Sequence, residues 1–273
     1  AVEGIMKKRD RILIGCLLVL LLLVISIMWM SREKPLAEKT DRIAILGYHH
    51  LAEDGDKYRE YLFDPWTATL SSFERQMRYL KENGYHTISL DELYEWYEGK
   101  RELDSKAVVI TFDDSYYSTY ELAKPILEKY GFEASTFVIG YSIPYDYEKW
   151  DPPSKAHIPY DLLQDDRTMR YYSHFYHLHR KIEGTYAVNV YSEKELIEDI
   201  KAAKEAVSTD YMAYPYGKYN DAVKAALRRE KVKLAFSYHQ YHKMKRSDDA
   251  YELPRFSINA YTPMFLFRWY LNQ

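Results

Sequence analysis

The stretch that most constrains this chain is AVVITFDDSYYST, Ala107 to Thr119, a β-branched run that delivers two adjacent acids, Asp113 and Asp114, at its carboxyl end. An apolar run too short for a helix and bounded by turn formers predicts a strand buried on both faces. In α/β sheets, ligand sites form where such strands end. Consecutive residues leaving a strand point in different directions, so the two acids suit two separate jobs, one on a metal and one on protons. Taken alone, the pair reads first as a cap for the helix predicted from about Tyr117 to Tyr130, a place that Asp114 or Ser115 fills well.

The rest of the chain sets this strand in a repeating context. A first strand is predicted over Ile43 to Gly47, ending on Tyr48-His49-His50. Phe73, Met77 and Leu80 recur at helical spacing, and Asn83-Gly84 stops that helix. TISL reads as a short strand, DELYEWYEG as a helix and ASTFVIG as a second buried strand. Ser192-Glu193-Lys194-Glu195 is a capping box opening a helix over Glu193 to Val207. TDYMAYPYG gives a strand and turn, Asp221 to Glu230 a helix, and VKLAFSY the last clear strand. Alternation of this kind argues for a parallel sheet or barrel with helices outside. Tyr141 to Arg170 breaks the rhythm with four prolines. It is expected to be a functional loop or lid with a short helix over Tyr160 to Met169.

Composition narrows the class. With 273 residues, 47% of them hydrophobic, the chain has material for one large domain with a full core. A net charge of −3 leaves no basic footprint, which argues against a nucleic-acid partner. Tyrosine is abundant, at 29 residues, and offers flat amphipathic surface for sugar rings. The one cysteine, Cys16, forms no intrachain disulfide, and too little apolar sequence precedes it for a lipidation site. Lys7, Lys8, Arg9 and Arg11 come before an uncharged run from Ile12 to Met30, long enough to cross a bilayer. The reading is a cytoplasmic tail over 1–11, a retained signal-anchor over 12–30 and a linker over 31–42. A domain over 43–273 then lies on the extracellular side of the cell membrane.

Four motifs occur in one order: Tyr48-His49-His50, the TFDD of the central strand, SHFYHLH from Ser173 to His179, and AYPYG from Ala213 to Gly217. In that combination the chain resembles the polysaccharide deacetylases of the NodB-homology type, and within them the branch acting on poly-N-acetylglucosamine. The resemblance covers Ile43 to Ala260. It implies a distorted (β/α) barrel and hydrolysis of the N-acetyl amide of a polysaccharide, with release of acetate. It also implies that Asp113 is the general base, and that Asp114, His174 and His179 hold a divalent ion, most naturally zinc. His177 competes with His179 for the second imidazole place. The family's candidate for holding the oxyanion is the AYPYG turn, here Tyr214, Pro215 and above all Tyr216. In the exopolysaccharide branch the first strand carries the general acid, which puts His49 in that role with His50 as the fallback. Three departures bear on activity, one being that the polar run HKMKRSDD before Arg255 offers no late catalytic histidine. Ser115 stands where relatives have glycine, and Ala213 stands where many place an arginine that orients the base. Arg255 is the candidate to supply that charge, with a purely structural salt bridge as the alternative. Rival readings are a carbohydrate-binding or scaffolding domain on the same fold and a deacetylase of peptidoglycan.

Overall fold

A computed structural model of the chain describes residues 8–30, 39–146, 149–238 and 241–273. The chain divides into two compact units, Leu36–Thr262 and the pair of terminal segments Ala1–Pro35 and Pro263–Gln273.

In the larger unit the predicted strands, joined by an unexpected one over Met169–Ser173, form one curved, mainly parallel sheet. Its order runs Leu234–Phe236, Tyr211–Ala213, Met169–Ser173, Ala134–Val138, Ala107–Phe112, Arg42–Tyr48. The strand that carries the acids lies inside this order. Ala44 to Tyr48 pair with Val108 to Phe112 on one side, and Ser135 and Thr136 pair with Thr111 and Phe112 on the other. All six of its residues are buried, as a strand covered on both faces requires. One set of alternating side chains, Ile43, Ile45, Val109, Phe137, Ala213 and Phe236, forms a single apolar cluster with Trp96 and Leu253. Met212 and Ala235 point the other way and pack with Leu196, Ile200, Val223 and Leu227 of the flanking helices. Two-sided burial explains why these strands read as apolar runs rather than as alternations.

The two edges of the sheet are bridged by one irregular segment. Leu253 exchanges backbone hydrogen bonds with Ala235 and Ser237 beyond the last strand, at 3.0 and 2.9 Å. Phe256 and Ser257 pair in parallel with Leu46 and Gly47 of the first strand. Arg255 lies between these two attachments, so closing the sheet carries its guanidinium into the interior. The expected distorted barrel is therefore present as a parallel half-barrel with this segment across its opening.

Several predicted boundaries shift. The helix after the acids begins as a wide π turn, Thr119–Ala123, before becoming regular over Lys124–Tyr130. Pro125 has no N–H to close on Glu121, which favours the wider register. No helix runs from Tyr160 to Met169: one 3₁₀ turn covers Tyr160–Leu162, and Met169 opens a strand. Asp166 explains the change, because its carboxylate accepts from the N–H groups of both Thr168 and Met169 and turns the chain there. Of TISL only Thr87 lies in a strand, His86–Thr87. The capping box at Ser192 and Glu195 is formed and opens a helix over Glu193–Ala206.

In the smaller unit the Ile12–Met30 run falls within a helix, Lys8–Met30, on which Leu17 to Val24 are exposed. Among the described residues no helix is long and apolar enough to cross a membrane. The expected tail and linker fall largely on residues 1–7 and 31–38, which lie outside the described residues.

Candidate active site and metal centre

The acids leave the strand in a turn that few side chains tolerate. Asp114 has φ 70° and Ser115 φ 50°, both left-handed. Ser115 thus occupies the conformation that glycine adopts freely, at a cost on the order of 1 kcal/mol. Neither Asp114 nor Ser115 caps the following helix, whose N-cap is Ser118 without a side-chain bond. What holds the turn is the long insertion. Ile158 N–H donates to Ser115 O at 2.9 Å, Tyr117 N–H to Ala156 O at 2.7 Å, and His157 Nδ1 to the main-chain oxygen of Asp114 at 2.6 Å.

Asp114, His174 and His179 converge, and their candidate ligand atoms all lie within 4.8 Å of one another. Asp114 Oδ1 is buried without a hydrogen-bond partner among the described residues, 3.5 Å from His174 Nε2 and 3.2 Å from His179 Nε2. His174, just past its strand, donates from Nδ1 to Ala213 O at 2.8 Å, since a carbonyl only accepts. That bond fixes the tautomer and turns the Nε2 lone pair toward Asp114. An orphaned buried carboxylate oxygen facing two imidazole nitrogens is the donor set that a divalent ion such as zinc satisfies. Charge distribution agrees. Burial lowers the His174 pKa to about 4, which favours the neutral ring that a metal ligand must be. For His179, burial also works downward, but its contact with Asp114 outweighs it and raises the pKa. Burial pushes Asp114 up, and the three histidines around it more than reverse that, holding it ionised.

His177 is excluded from this cluster. Its ring is exposed and stacks on Tyr141 at 4.9 Å, while its N–H donates to Asp199 Oδ1 at 2.6 Å. The neighbouring Tyr176 N–H reaches Asp199 Oδ2 at 2.9 Å. Asp199, buried on the Glu193–Ala206 helix, thereby clamps the loop that turns back to present His179.

Asp113 is paired rather than aimed at the metal cluster. Arg255 binds it with both ends of the guanidinium, Nη1 to Oδ1 at 2.7 Å and Nη2 to Oδ2 at 2.8 Å. Arg255 also donates to Ser237 O and Thr111 Oγ1, both at 3.1 Å, and its guanidinium lies 4.0 Å from the centre of the Tyr238 ring. The residue that sequence left open between two roles thus holds the carboxylate from a different segment than the missing arginine at Ala213 would. Burial raises the Asp113 pKa, but Arg255, His174 and His49 prevail and keep it below the ordinary carboxylate range.

His49 leaves the first strand between the rings of Trp66, 4.6 Å away, and Tyr238, 5.6 Å away. Its Nδ1 is buried without a hydrogen-bond partner among the described residues. Burial lowers its pKa, opposed by Asp113 and Asp114. Gly47 makes room for this arrangement: a Cβ there would sit 2.4 Å from the Tyr238 hydroxyl. His50 is held elsewhere, with Nδ1 on Thr67 Oγ1 at 3.0 Å and its ring against Tyr61 and Tyr116.

The AYPYG turn divides its residues. Tyr216, with φ 59°, lays its ring 4.5 Å from that of His179 and so forms part of the site. Tyr214 does not: its side chain is buried among Phe175, Leu196 and Val223 and donates to Tyr251 O at 3.0 Å. Strand alternation explains the correction, since Tyr214 continues the outward face begun by Met212. Pro215 is buried beneath the turn. Sequence reasoning missed His157, Asp199, Trp66 and Tyr238. None belongs to a local motif, and only the aromatic after the last strand, in VKLAFSY, stands at a strand end where a site residue is expected.

A half-barrel with two acids after one strand, two histidines after another and a buried arginine behind the first acid offers the donor set of a metal site beside a paired carboxylate. Residues 100–235 match the profile of the family described as Polysaccharide deacetylase, so the chain carries a domain of that family. It is 28% identical over 203 residues to the putative polysaccharide deacetylase YxkH of Bacillus subtilis, covering 72% of this chain and 63% of that protein. It is 26% identical over 202 residues to the poly-beta-1,6-N-acetyl-D-glucosamine N-deacetylase of Staphylococcus aureus, covering 71% and 68% respectively. The chain therefore spans less than two thirds of the length of the first of these relatives. Among solved structures, the Streptococcus pyogenes deacetylase PplD in complex with acetate superposes with a TM-score of 0.68 at 21% identity, over 85% of this chain and 99% of that one. IcaB from Ammonifex degensii gives 0.66 at 22% identity, over 85% and 98%. At such identities these structures establish the fold.

Proposed function

We propose that the protein is a metal-dependent N-deacetylase of a polysaccharide containing N-acetylglucosamine, of the poly-N-acetylglucosamine type. The observation that carries this reading is the convergence of Asp114, His174 and His179 beside an ionised Asp113 that Arg255 holds from behind. A divalent ion held by Asp114, His174 and His179 would supply Lewis acidity to the amide carbonyl and lower the pKa of the attacking water. Asp113 takes the proton of the attacking water on a carboxylate oxygen, and the bidentate Arg255 keeps that oxygen in place. The backbone N–H of Tyr216, in its left-handed turn, is the protein's donor to the developing oxyanion. His49 donates a proton to the departing sugar amine, which otherwise leaves as a poor anion. Trp66 and Tyr238 flank the imidazole and fix its plane.

The proposal includes location. The uncharged sequence from Ile12 to Met30, behind a basic cluster, is what supports a single-pass anchor with the domain on the extracellular face. External protease acting on intact, wall-stripped cells then releases the domain; protection until the membrane is opened reverses that orientation. For the activity, the purified full chain is assayed for bound metal and for acetate released from N-acetylglucosamine oligomers. Metal binding with acetate release is expected. Metal-free protein that binds the oligomers without releasing acetate establishes instead a carbohydrate-binding domain on this fold.

A further inference from the structure

Both peptide groups that flank Ser115 are held by the insertion. His157 Nδ1 donates to the main-chain oxygen of Asp114 at 2.6 Å and fixes the peptide before the Ser115 Cα. Ile158 N–H donates to Ser115 O at 2.9 Å and fixes the peptide after it. These bonds flank an antiparallel bridge between Tyr116 and His157, whose rings also stack, 5.5 Å apart and 14° from parallel. The bridge is itself anchored. Tyr117 N–H donates to Ala156 O at 2.7 Å, Lys155 Nζ to Asp64 Oδ2 at 2.5 Å, and the Tyr61 hydroxyl to Pro153 O.

The clamp answers a particular difficulty. Asp114 and Ser115 are both left-handed, with φ 70° and 50°. Aspartate visits that region more readily than most side chains, whereas serine is held there against its preference. A serine that relaxed to negative φ would swing the Asp114–Ser115 peptide out of its present plane. The Asp114 carboxylate shares its Cα with that peptide, and its Oδ1 must stay where it lies, 3.5 Å from His174 Nε2 and 3.2 Å from His179 Nε2. We propose that His157 is a positioning residue for the metal centre: its Nδ1–H holds the Asp114–Ser115 peptide, keeps a serine in the left-handed turn, and so keeps Asp114 facing the two imidazoles. The inference rests on the reading of Asp114, His174 and His179 as metal ligands. It makes a segment outside the catalytic motifs a determinant of metal affinity.

The test is the Zn²⁺ affinity of the full chain, measured by competition with a chelator. His157→Ala is expected to weaken binding about tenfold, the usual effect of losing a partner that orients a ligand. His157→Asn, whose amide nitrogen stands where Nδ1 stood, is expected to recover to within about threefold of the wild type. His157→Phe keeps a ring against Tyr116 but has no donor, and is expected to stay as weak as His157→Ala. A role in packing alone predicts the opposite order of these two variants, and that order overturns the inference. So does an unchanged affinity in His157→Ala. Ser115→Gly gives a second test. Glycine adopts the left-handed turn freely, so adding His157→Ala to Ser115→Gly is expected to lower affinity by less than about threefold. An equal fall with and without Ser115→Gly also overturns it. If the wild type binds no Zn²⁺, the metal reading fails, and chemical denaturation of the same chains decides the turn-holding role by itself. A destabilisation by His157→Ala that shrinks in the presence of Ser115→Gly then supports it, and equal destabilisation removes it.

Discussion

Asp113, Asp114 and His174 stand at the ends of parallel strands and are almost wholly buried, whereas His179, Tyr216 and His157 are presented by turns and by the insertion and remain partly open. The His174 side chain is 2% exposed and that of His179 is 21% exposed, although both face the same Asp114 oxygen. A strand end fixes a side chain through the sheet ladder beneath it, so its position is a property of the whole core. A turn fixes one through a few hydrogen bonds of its own. The strand-borne half should therefore fail completely when altered, and the loop-borne half should fail by degrees.

The largest effects test the strand-borne half. Asp114→Ala and His174→Ala should abolish stoichiometric metal binding and reduce kcat/KM by on the order of 10³-fold or more. Asp113→Asn should leave bound metal unchanged and still lose roughly 10²–10⁴-fold in turnover, the usual worth of a positioned base. Metal lost along with activity in Asp113→Asn would merge the two acids into one role and erase the division drawn between them.

Next comes Arg255, which is 0% exposed and pairs with Asp113 on both oxygens. Arg255→Met leaves a buried carboxylate without its counter-charge and removes a donor to Ser237 and Thr111. Chemical denaturation should show a loss of about 3–5 kcal/mol, the typical result of breaking one side of a buried pair. A loss below about 1 kcal/mol, the range of an exposed pair, would place Arg255 among the surface ions instead.

The same division explains what could be read in advance. The strand that ends in Asp113 and Asp114 announces itself because two-sided burial demands an unbroken β-branched run, and the barrel order follows from strand and helix in alternation. His174 and His179 are legible as a pair only through the motif shared with a family, since their spacing fits no regular element. The choice between His177 and His179 depends on Asp199, a residue 20 positions downstream of His179 in sequence that takes the N–H of His177 and turns its ring outward. Tyr214 shares the motif of Tyr216, yet strand alternation, itself a sequence rule, places it in the core. His157 and Trp66 carry no local signal, because each is brought in by a loop whose course is set by contacts with the other. Arg255 reaches Asp113 only because Leu253 to Ser257 spans the two edges of the sheet.

In the loop-borne half, Asp199 offers the graded case. Its carboxylate takes two consecutive N–H groups, those of Tyr176 and His177, and burial raises its pKa despite them. Asp199→Asn keeps one acceptor and sets an NH₂ against the other N–H, so the His179 loop loosens without losing its ligand. Metal affinity, measured by competition with a chelator, should fall by about tenfold, as for partners that orient a ligand. His177→Ala, which removes only an exposed ring, should change affinity less than about twofold. The reverse ranking would return His177 to the metal centre.

The smallest expected effect lies where the two loops meet. Asp64 accepts from Trp66 N–H at 3.0 Å, from Thr67 Oγ1 at 2.6 Å and from Lys155 Nζ at 2.5 Å, and Lys155 belongs to the insertion. Since the Thr67 hydroxyl donates to Asp64, its oxygen is left to accept from His50 Nδ1, which completes a chain from insertion to first strand. Burial raises the Asp64 pKa, but its bonds to Lys155, Thr67 and Trp66 outweigh that and leave it below the ordinary value. A carboxyl depressed in the folded state contributes stability that is complete above its unfolded pKa of about 4 and lost as pH falls through the lower folded value. Lys155 is about one third exposed, so solvent screening limits the contribution to roughly 1 kcal/mol or less. Asp64→Asn should thus be slightly less stable than the wild type at neutral pH, and the gap should close below about pH 4. Trp66 hangs on the same carboxylate and lies against His49, so the variant should also lose a fewfold in turnover at neutral pH with bound metal unchanged. Denaturation midpoints taken from pH 7 to pH 3 check the first part and steady-state rates the second. A stability gap that widens toward acid would mean that Asp64 is held protonated, and that the link between the loops is something other than this ion pair.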